Sequence, residues 1–415
     1  MMDSGTVANA ILHKISSLPN ISSDCCIYLV PENLRRVNKD AYRPLLVSIG
    51  PVYINDDRLI GMQNLKLRYL KSFLQRNPAH SIQQYVNVLR GWEGLARQCY
   101  VETIKLPLRE IFTEMLLVDA VFIIELFLRN CFVEYIDEND RIFNKPRMLL
   151  EVTRDVRLEE NQLPFFILKG LYEMAFGSSP QNRSLSFLDV TYQFLTGRKD
   201  AVPQRIATSD IKNLVDFLRV CHLPSVLRGQ FPNKNSKFEF PSSVTELSEA
   251  GVKFVASKSE NLLDVRFVKG VLEIPRIKVT DDTETLFRNI MVFEQCHYYY
   301  DSYIIDYFAL MDSLINTPKD VEILSQRGII ENWLGNNEEV ANLFSKIFKQ
   351  TRLKDPNFYY SGICRDMNEY ASRSWHRWRA ILKHDYFSHP WAGISVFYAI
   401  VVLILTALQV YTGFK

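Results

Sequence analysis

The chain has 415 residues, of which 47% are hydrophobic and 23% are charged, and its formal net charge is +2. A net charge so close to zero favours neither a nucleic acid nor an acidic substrate as partner. The hydrophobic content excludes a disordered scaffold. Because domains usually run about 100–200 residues, these values predict one large globular domain or two closely joined ones.

Strand-like runs occur near the start of the chain and again after its middle. Residues 26–30 and 45–49 are short and mostly apolar. Residues 265–268 and 271–274 flank Lys269-Gly270, a spacing that predicts a two-residue β-hairpin. Since a hairpin needs partner strands, we expect the two early runs to pair with it, which would make both halves of the chain one domain.

Most of the remaining chain shows helical periodicity. The clearest predicted helices are residues 63–74, 82–101, 108–132, 283–314 and 340–348. Residues 115–128 are almost continuously apolar but include Asp119 and Glu125. That run is too short and too charged to cross a bilayer, so it predicts a buried core helix.

A long uncharged apolar segment lies at the end of the chain, at residues 391–411. Trp391 and Tyr411 close its two ends, where aromatic rings favour the headgroup zone. Tyr398 lies inside the segment and is counted with the anchor. About 20 apolar helical residues span a bilayer core. The predicted fold class is therefore mainly α with a small β-sheet or hairpin element (α+β), plus one C-terminal transmembrane helix and a short tail at 412–415.

The stretch before that segment, residues 371–390, is basic and aromatic. Four basic residues form the predicted juxtamembrane flank: Arg373, Arg377, Arg379 and Lys383. The positive-inside rule then places the large domain in the cytosol, and the flank is expected to contact the lipid bilayer. A rival topology remains open, because Asn20-Ile21-Ser22 and Asn182-Arg183-Ser184 would be glycosylation acceptors in a lumenal domain.

The seven cysteines and the N-terminus agree with a cytosolic domain. No C-x-x-C and no zinc-site spacing occurs, so the cysteines are predicted to be reduced thiols. No signal peptide is visible at the N-terminus. The predicted domains are an N-terminal segment (1–24) and a largely helical globular domain (25–370) with a possible break at 228–243, followed by the flank, the span and the tail.

Carboxylates are the most tempting catalytic candidates. Asp119 and Glu125 lie in the apolar run, and Asp155, Glu159 and Glu160 precede Asn161-Gln162. A buried carboxylate can serve as acid or base because burial raises its pKa. It can equally cap a helix or pair with an arginine, for which the candidates are Arg109, Arg129, Arg154 and Arg157. The sequence favours this structural interpretation.

No other set of residues predicts chemistry. In Cys221-His222 and Cys296-His297 the adjacent side chains point about 100° apart on a helix, so neither forms a dyad by itself. No nucleophile elbow, phosphate-binding loop, zinc motif or dinucleotide fingerprint is present. We therefore predict no catalytic residue, no cofactor-binding residue and no metal ligand.

An aromatic cluster follows the second Cys-His pair. It consists of Tyr298, Tyr299, Tyr300, Tyr303 and Tyr307. Exposed tyrosines would offer a binding surface, whereas a packed helix would bury them, and the sequence favours packing in the core.

Six runs together resemble one family. They are 41–51 (AYRPLLVSIGP), 115–127 (MLLVDAVFIIELF), 160–166 (ENQLPFF), 245–252 (TELSEAGV), 293–297 (FEQCH) and 312–317 (DSLINT). The chain resembles the plant-specific family defined by domain of unknown function 247, over nearly its whole length. The resemblance implies a C-terminally anchored plant membrane protein and supplies no catalytic residues. After Pro51 the family usually has a His-His-Gly-like stretch, whereas this chain has Val52-Tyr53-Ile54-Asn55.

The predicted function is that of a membrane-tethered, non-enzymatic interaction or signalling protein of plants, with an unknown protein partner. Neither a nucleic acid nor a small-molecule substrate is indicated. Some grass members of the family are implicated in pollen self-incompatibility, so a cell-recognition determinant is one alternative. The other is an uncharacterised membrane-bound enzyme that uses Asp119, Glu125 or Glu160.

Overall fold

The computed structural model describes residues 4–16, 23–101, 103–177, 185–224, 239–298, 301–353 and 358–373, with residues 398, 401–402 and 404–406. The chain divides into two compact units. The first comprises Met1–Leu29 with Pro44–Leu214, and the second comprises Val30–Arg43 with Val215–Lys415.

Helices account for most of the described structure. In chain order they are α1 (Ser4–Ser16), α2 (Glu32–Arg35), α3 (Gln63–Arg76), α4 (Ile82–Gln98), α5 (Arg109–Cys131), α6 (Pro146–Asp155), α7 (Phe165–Phe176), α8 (Phe187–Thr196), α9 (Gln204–Thr208), α10 (Leu214–His222), α11 (Val244–Glu249), α12 (Thr283–His297), α13 (Tyr303–Leu314), α14 (Pro318–Gln326), α15 (Asn337–Phe348) and α16 (Ser361–Ser372). The strands are β1 (Lys253–Ser257), β2 (Arg266–Val268), β3 (Val271–Pro275), β4 (Ile277–Val279) and β5 (Ile330–Asn332). The prediction of a mainly helical fold with a small sheet is confirmed.

Helix α5 is the centre of the first unit. It packs against α3, α4, α7 and α8, and its residues 115–128 are buried on every side. Aromatic contacts fix two of these neighbours, with Phe122 lying 5.3 Å from Tyr69 and Phe127 lying 4.7 Å from Phe194 between ring centroids. A helix that is apolar all round must be buried, so the predicted core helix is confirmed.

The second unit contains the predicted hairpin. Strand β3 pairs antiparallel with β2, and Val268 lies opposite Val271. Between them Lys269 and Gly270 have φ values of 49° and 81°, as a two-residue turn that follows the strand twist requires. The hairpin is therefore confirmed, and β1 completes its sheet by pairing parallel with β3.

The prediction of two early strands, at residues 26–30 and 45–49, is wrong. In the described chain, residues 26–30 contribute only an isolated bridge between Ile27 and Tyr100, and residues 45–49 form no strand. The hairpin takes β1 as its partner instead. The run 45–49 has the apolarity of a strand, but side chains of distant residues, and not a neighbouring strand, accept its backbone hydrogen bonds.

The predicted single helix over 283–314 is also wrong, because it is broken into α12 and α13. The carboxylate of Glu294 in α12 accepts hydrogen bonds from the backbone N–H groups of Ile304 and Ile305, both at 3.0 Å to Oε2. The first N–H groups of a helix have no partner within the helix. Glu294 therefore satisfies the start of a new helix where periodicity alone suggested continuation.

The C-terminal transmembrane helix is contradicted. Among the described residues no helix combines the length and the apolarity that a membrane span requires. Within 391–411 the described residues are 398, 401–402 and 404–406, and all of them are helical.

Most of the residues predicted for the anchor and its flank fall beyond the described part of the chain. Trp391, Tyr411, Arg377, Arg379 and Lys383 all lie outside it. Arg373 directly follows α16 and is exposed, and the side chain of Tyr398 is 70% exposed.

Candidate functional site

The candidate carboxylates of the first unit surround one irregular segment, residues 45–50. Asp155, the last residue of α6, accepts hydrogen bonds from the backbone N–H groups of Leu45, Leu46 and Val47 at 2.9, 2.7 and 3.0 Å. Burial raises the pKa of the Asp155 carboxyl, while the three N–H donors and Arg154 act in the opposite direction. Asp155 therefore stabilises a segment that has no neighbouring strand.

Two amides continue this pattern. Asn161 accepts a hydrogen bond from the N–H of Ile49 at 2.7 Å and donates one to the carbonyl of Val47 at 3.0 Å. Gln162 donates to the carbonyls of Val156 and Leu158 at 2.9 and 2.8 Å. Buried backbone N–H and C=O groups require hydrogen-bond partners. The polar side chains before Pro164 supply such partners where no neighbouring strand or helix does.

Asp119 of α5 holds the end of the segment together with a buried lysine. Its carboxylate accepts a hydrogen bond from the N–H of Gly50 at 2.9 Å and one from Nζ of Lys66 at 2.6 Å. The Lys66 ammonium also donates to the carbonyl of Ser48. Burial raises the pKa of Asp119, and the Lys66 charge opposes that rise. Lys66 is a partner that sequence reasoning missed, because nothing local marks a lysine of α3 as buried.

Glu125, one and a half turns further along α5, belongs to a separate ion-pair network. It contacts Arg76 and, at 3.3 Å, Arg129. Arg129 in turn lies 2.6 Å from Asp140 and over the ring of Tyr69, 4.1 Å from its centroid. Burial raises the pKa of Glu125, against the two arginines. Arg129 was among the partners expected for a structural carboxylate, and it has this role.

The remaining carboxylates also have polar partners. Glu160 accepts a hydrogen bond from the hydroxyl of Tyr53 at 2.5 Å, and Glu159 accepts one from the N–H of Tyr28 at 3.2 Å. Among the described residues no group of three or more His, Cys, Asp or Glu side chains is placed to hold a metal ion. Asp119, Glu125 and Glu160 therefore each contact a polar partner of their own.

The Cys-His pairs of the second unit are half-buried, and their histidine rings pack beside aromatic side chains. The ring of His222 lies 5.5 Å from that of Phe287, and His297 stacks on Phe293 at 5.1 Å. Tyr303 and Tyr307 are buried, as expected for core residues. Tyr298 receives the guanidinium of Arg219 over its ring, 3.7 Å from the centroid, while Tyr299 and Tyr300 fall outside the described residues.

An open apolar groove in the first unit was not predicted. Its volume is about 540 Å³, and its apolar lining consists of Leu29, Pro51, Val52, Ile54, Ile104, Leu106, Pro107 and Ile111. Asn55, Thr103 and Lys105 supply the polar part of the lining. The local sequence signal for it is the pair of apolar residues Val52 and Ile54 directly after Gly50-Pro51.

The same carboxylates position one wall of this groove. Asp119 holds Gly50, the residue before Pro51 and Val52, and Glu160 holds Tyr53. Gly50 has φ +71°, and a Cβ there would lie 2.5 Å from the carbonyl oxygen of Gln162. Arg97 donates a hydrogen bond to the carbonyl of another lining residue, Pro107, at 2.9 Å. Buried polar groups therefore fix the shape of an apolar surface feature.

Comparison with known proteins confirms the family resemblance of the six sequence runs. Residues 27–405 match the family model of domain of unknown function 247, described as plant protein of unknown function. The chain is similar to UPF0481 protein At3g47200 of Arabidopsis thaliana, with 29% identity over 93% of this chain and 85% of the relative. It is also similar to Putative UPF0481 protein At3g02645 of Arabidopsis thaliana, with 22% identity over 93% and 89%. No solved structure matches.

Proposed function

Since the chain belongs to the plant family of domain of unknown function 247, whose function is unknown, we propose from its own residues that it is a non-enzymatic protein-interaction module. The apolar groove of the first unit is the binding site. Its ligand is an apolar segment of a partner protein, with an acidic side chain placed to meet Lys105. The groove carries the proposal, because eight of its eleven lining residues are apolar, and clefts lined mostly by apolar side chains with a few polar groups are typical binding sites.

The groove has the composition of an interface core with a polar edge. Eight apolar residues line it, and Lys105 is the charged residue in the lining. Ile111 remains 50% exposed at its side. A partner that covers these side chains would remove apolar surface from water at roughly 25 cal/mol per Å². The exposed ammonium of Lys105 favours a carboxylate at the rim and steers its approach.

The fixed geometry of the walls supports recognition over catalysis. The carboxylates that could have served as acid or base hold backbone groups and cations: Asp119 holds Gly50 and Lys66, and Glu125 binds Arg76 and Arg129. A groove whose walls are held in place loses little conformational entropy when a partner binds, which favours affinity. This is our reason for preferring an interaction module to a membrane-bound enzyme.

The test compares groove variants with a matched surface variant. Ile54→Asp and Ile111→Asp place a charge in the groove, whereas Leu150→Asp changes a 64% exposed residue of the same unit outside the groove. We expect proximity labelling in plant cells to recover a set of partners that both groove variants lose and that Leu150→Asp keeps. Each recovered partner is then purified and its affinity measured.

A direct partner should bind at least about tenfold more weakly to Ile111→Asp than to wild type, since truncating or charging a central contact costs more than about 1.4 kcal/mol. A photo-crosslinking residue at position 54 should mark the bound segment. Equal affinities for Ile111→Asp and Leu150→Asp would refute the groove as the binding site.

We also propose that the domain lies in a reducing compartment. The spacing of the seven cysteines resembles no disulfide framework, which is typical of proteins that are not exposed to oxidising conditions. Treatment with a glycosidase provides the test. A mobility shift of the wild-type protein that is absent after Asn20→Gln with Asn182→Gln would place the domain in the lumen and refute this proposal.

A further inference from the structure

A second surface cavity lies in the second unit, and unlike the apolar groove it is lined by basic residues. Its volume is about 440 Å³, and its lining residues are Asn33, Arg36, Val37, Lys346, Lys349 and Gln350. We propose that this basic pocket binds a small soluble anion that carries more than one phosphate group. This site is independent of the apolar groove and of the protein-interaction proposal.

The charge in the basic pocket is unbalanced. Arg36, Lys346 and Lys349 are all exposed, and in the described part of the chain neither lysine has an acidic partner. Arg36 pairs with Glu32 at 3.2 Å on the surface of α2, and an exposed pair of this kind contributes little. The C-terminus of α15 contributes about half a negative charge, which is far less than three cations.

The two walls of the pocket are fixed before any ligand arrives. The buried guanidinium of Arg288 donates a hydrogen bond to the carbonyl of Lys346 on α15 and another to the hydroxyl of Tyr42 at 3.3 Å. Asn289 donates to the carbonyl of Ala41 at 2.8 Å. Arg288 thus links the end of α15 to the segment that follows α2. These contacts hold the backbone segments that carry the cations, so the segments do not need to be brought together at the moment of binding.

The three cations of the lining favour an anionic ligand. Five of the six are polar or charged, and Val37 is the exception. A guanidinium binds two phosphate oxygens in a fork, and lysines act as point charges beside it. The volume lies in the range of small-molecule sites and leaves space for a second phosphate. A compact polyphosphate would therefore reach Arg36 on one wall and the lysines on the other.

The test measures binding of inorganic pyrophosphate and tripolyphosphate by calorimetry. Sulfate, which has a single tetrahedral anionic group, is measured for comparison. The variant Lys346→Gln with Lys349→Gln removes two charges and leaves the carbonyl that Arg288 binds. Lys319→Gln removes an exposed lysine of α14 outside the pocket and serves as the matched control. Thermal unfolding of each protein verifies that it is folded.

We expect tripolyphosphate to bind wild type and Lys319→Gln equally, and to bind the double variant at least about tenfold more weakly, since charge-assisted contacts dominate such sites. Binding should weaken as salt rises from 50 to 200 mM, because the cations are exposed to solvent. Failure of wild type to bind tripolyphosphate, or equal binding by the double variant, would overturn the proposal. Sulfate bound as tightly as tripolyphosphate would overturn the preference for more than one phosphate group.

Discussion

Lys66 and Asp119 form a salt bridge with 2.6 Å between Nζ and Oδ1, and only 1% and 3% of the two residues is exposed to solvent. Removing one partner of a buried pair leaves the other charge without compensation, whereas replacing both with apolar residues does not. This pair also holds Ser48 and Gly50 at the start of the groove wall.

Asp119→Ala is therefore expected to lower the free energy of unfolding by about 3–5 kcal/mol, and the double variant Lys66→Met with Asp119→Leu should recover much of that loss. Urea denaturation measures both. Arg147→Ala, which breaks the exposed pair with Glu151, should leave the transition unchanged. A single variant as stable as wild type would contradict the structural role.

Asp155→Ala should release residues 45–47, because three backbone N–H groups lose their acceptor together. We expect a loss of about 3 kcal/mol in the free energy of unfolding, since each orphaned buried donor costs about 1–3 kcal/mol and water recovers part of it. Hydrogen exchange should accelerate at these amides. Glu151→Ala on the same helix is the control, and unchanged exchange in Asp155→Ala would exclude this assignment.

Two glycine substitutions should change stability in opposite directions. Gly50→Ala places a methyl group 2.5 Å from the carbonyl oxygen of Gln162 at φ +71°, and such strain costs about 1–3 kcal/mol. A Cβ at Gly94 in α4 would enter open space beyond the backbone of its own helix, so Gly94→Ala should stabilise the protein by about 0.5–1 kcal/mol. Thermal denaturation compares them, and destabilisation by both would show that the difference in environment is irrelevant.

Asp320 should make the free energy of unfolding of the second unit depend on pH. Burial would raise the pKa of its carboxyl, but hydrogen bonds from Thr245 and Thr317 outweigh it and lower the pKa below its ordinary value. A lowered folded-state pKa gives stability that is present above the unfolded pKa of about 3.9 and is lost as pH falls through the folded value.

Asp320→Asn is thus expected to be less stable than wild type at pH 7, and the difference should shrink as pH falls below about 4. Stability measured from pH 7 to pH 2 tests this. A difference that stays constant across that range would show that ionisation of Asp320 is not involved. Glu322→Gln, on the exposed side of α14, should follow the wild-type profile.

The sequence by itself determined the elements whose signals are local. The run at 115–128 predicted the buried helix α5, and Lys269-Gly270 between two apolar runs predicted the hairpin, because the periodicity and turn chemistry of consecutive residues decide both. It also favoured structural roles for the carboxylates, although it named only some of their partners.

Tertiary structure decided everything that depends on residues far apart in the chain. Residues 45–49 have the apolarity of a strand, yet Asp155, 110 positions after Leu45, takes over their backbone hydrogen bonds. Glu294 starts a new helix at Tyr303 where periodicity continued, and Lys66 becomes the partner of Asp119. The groove and the basic pocket likewise combine residues from separate segments, and one-dimensional periodicity carries no information about such distant neighbours. At residues 391–411 apolarity alone predicted a span that the described helices do not provide.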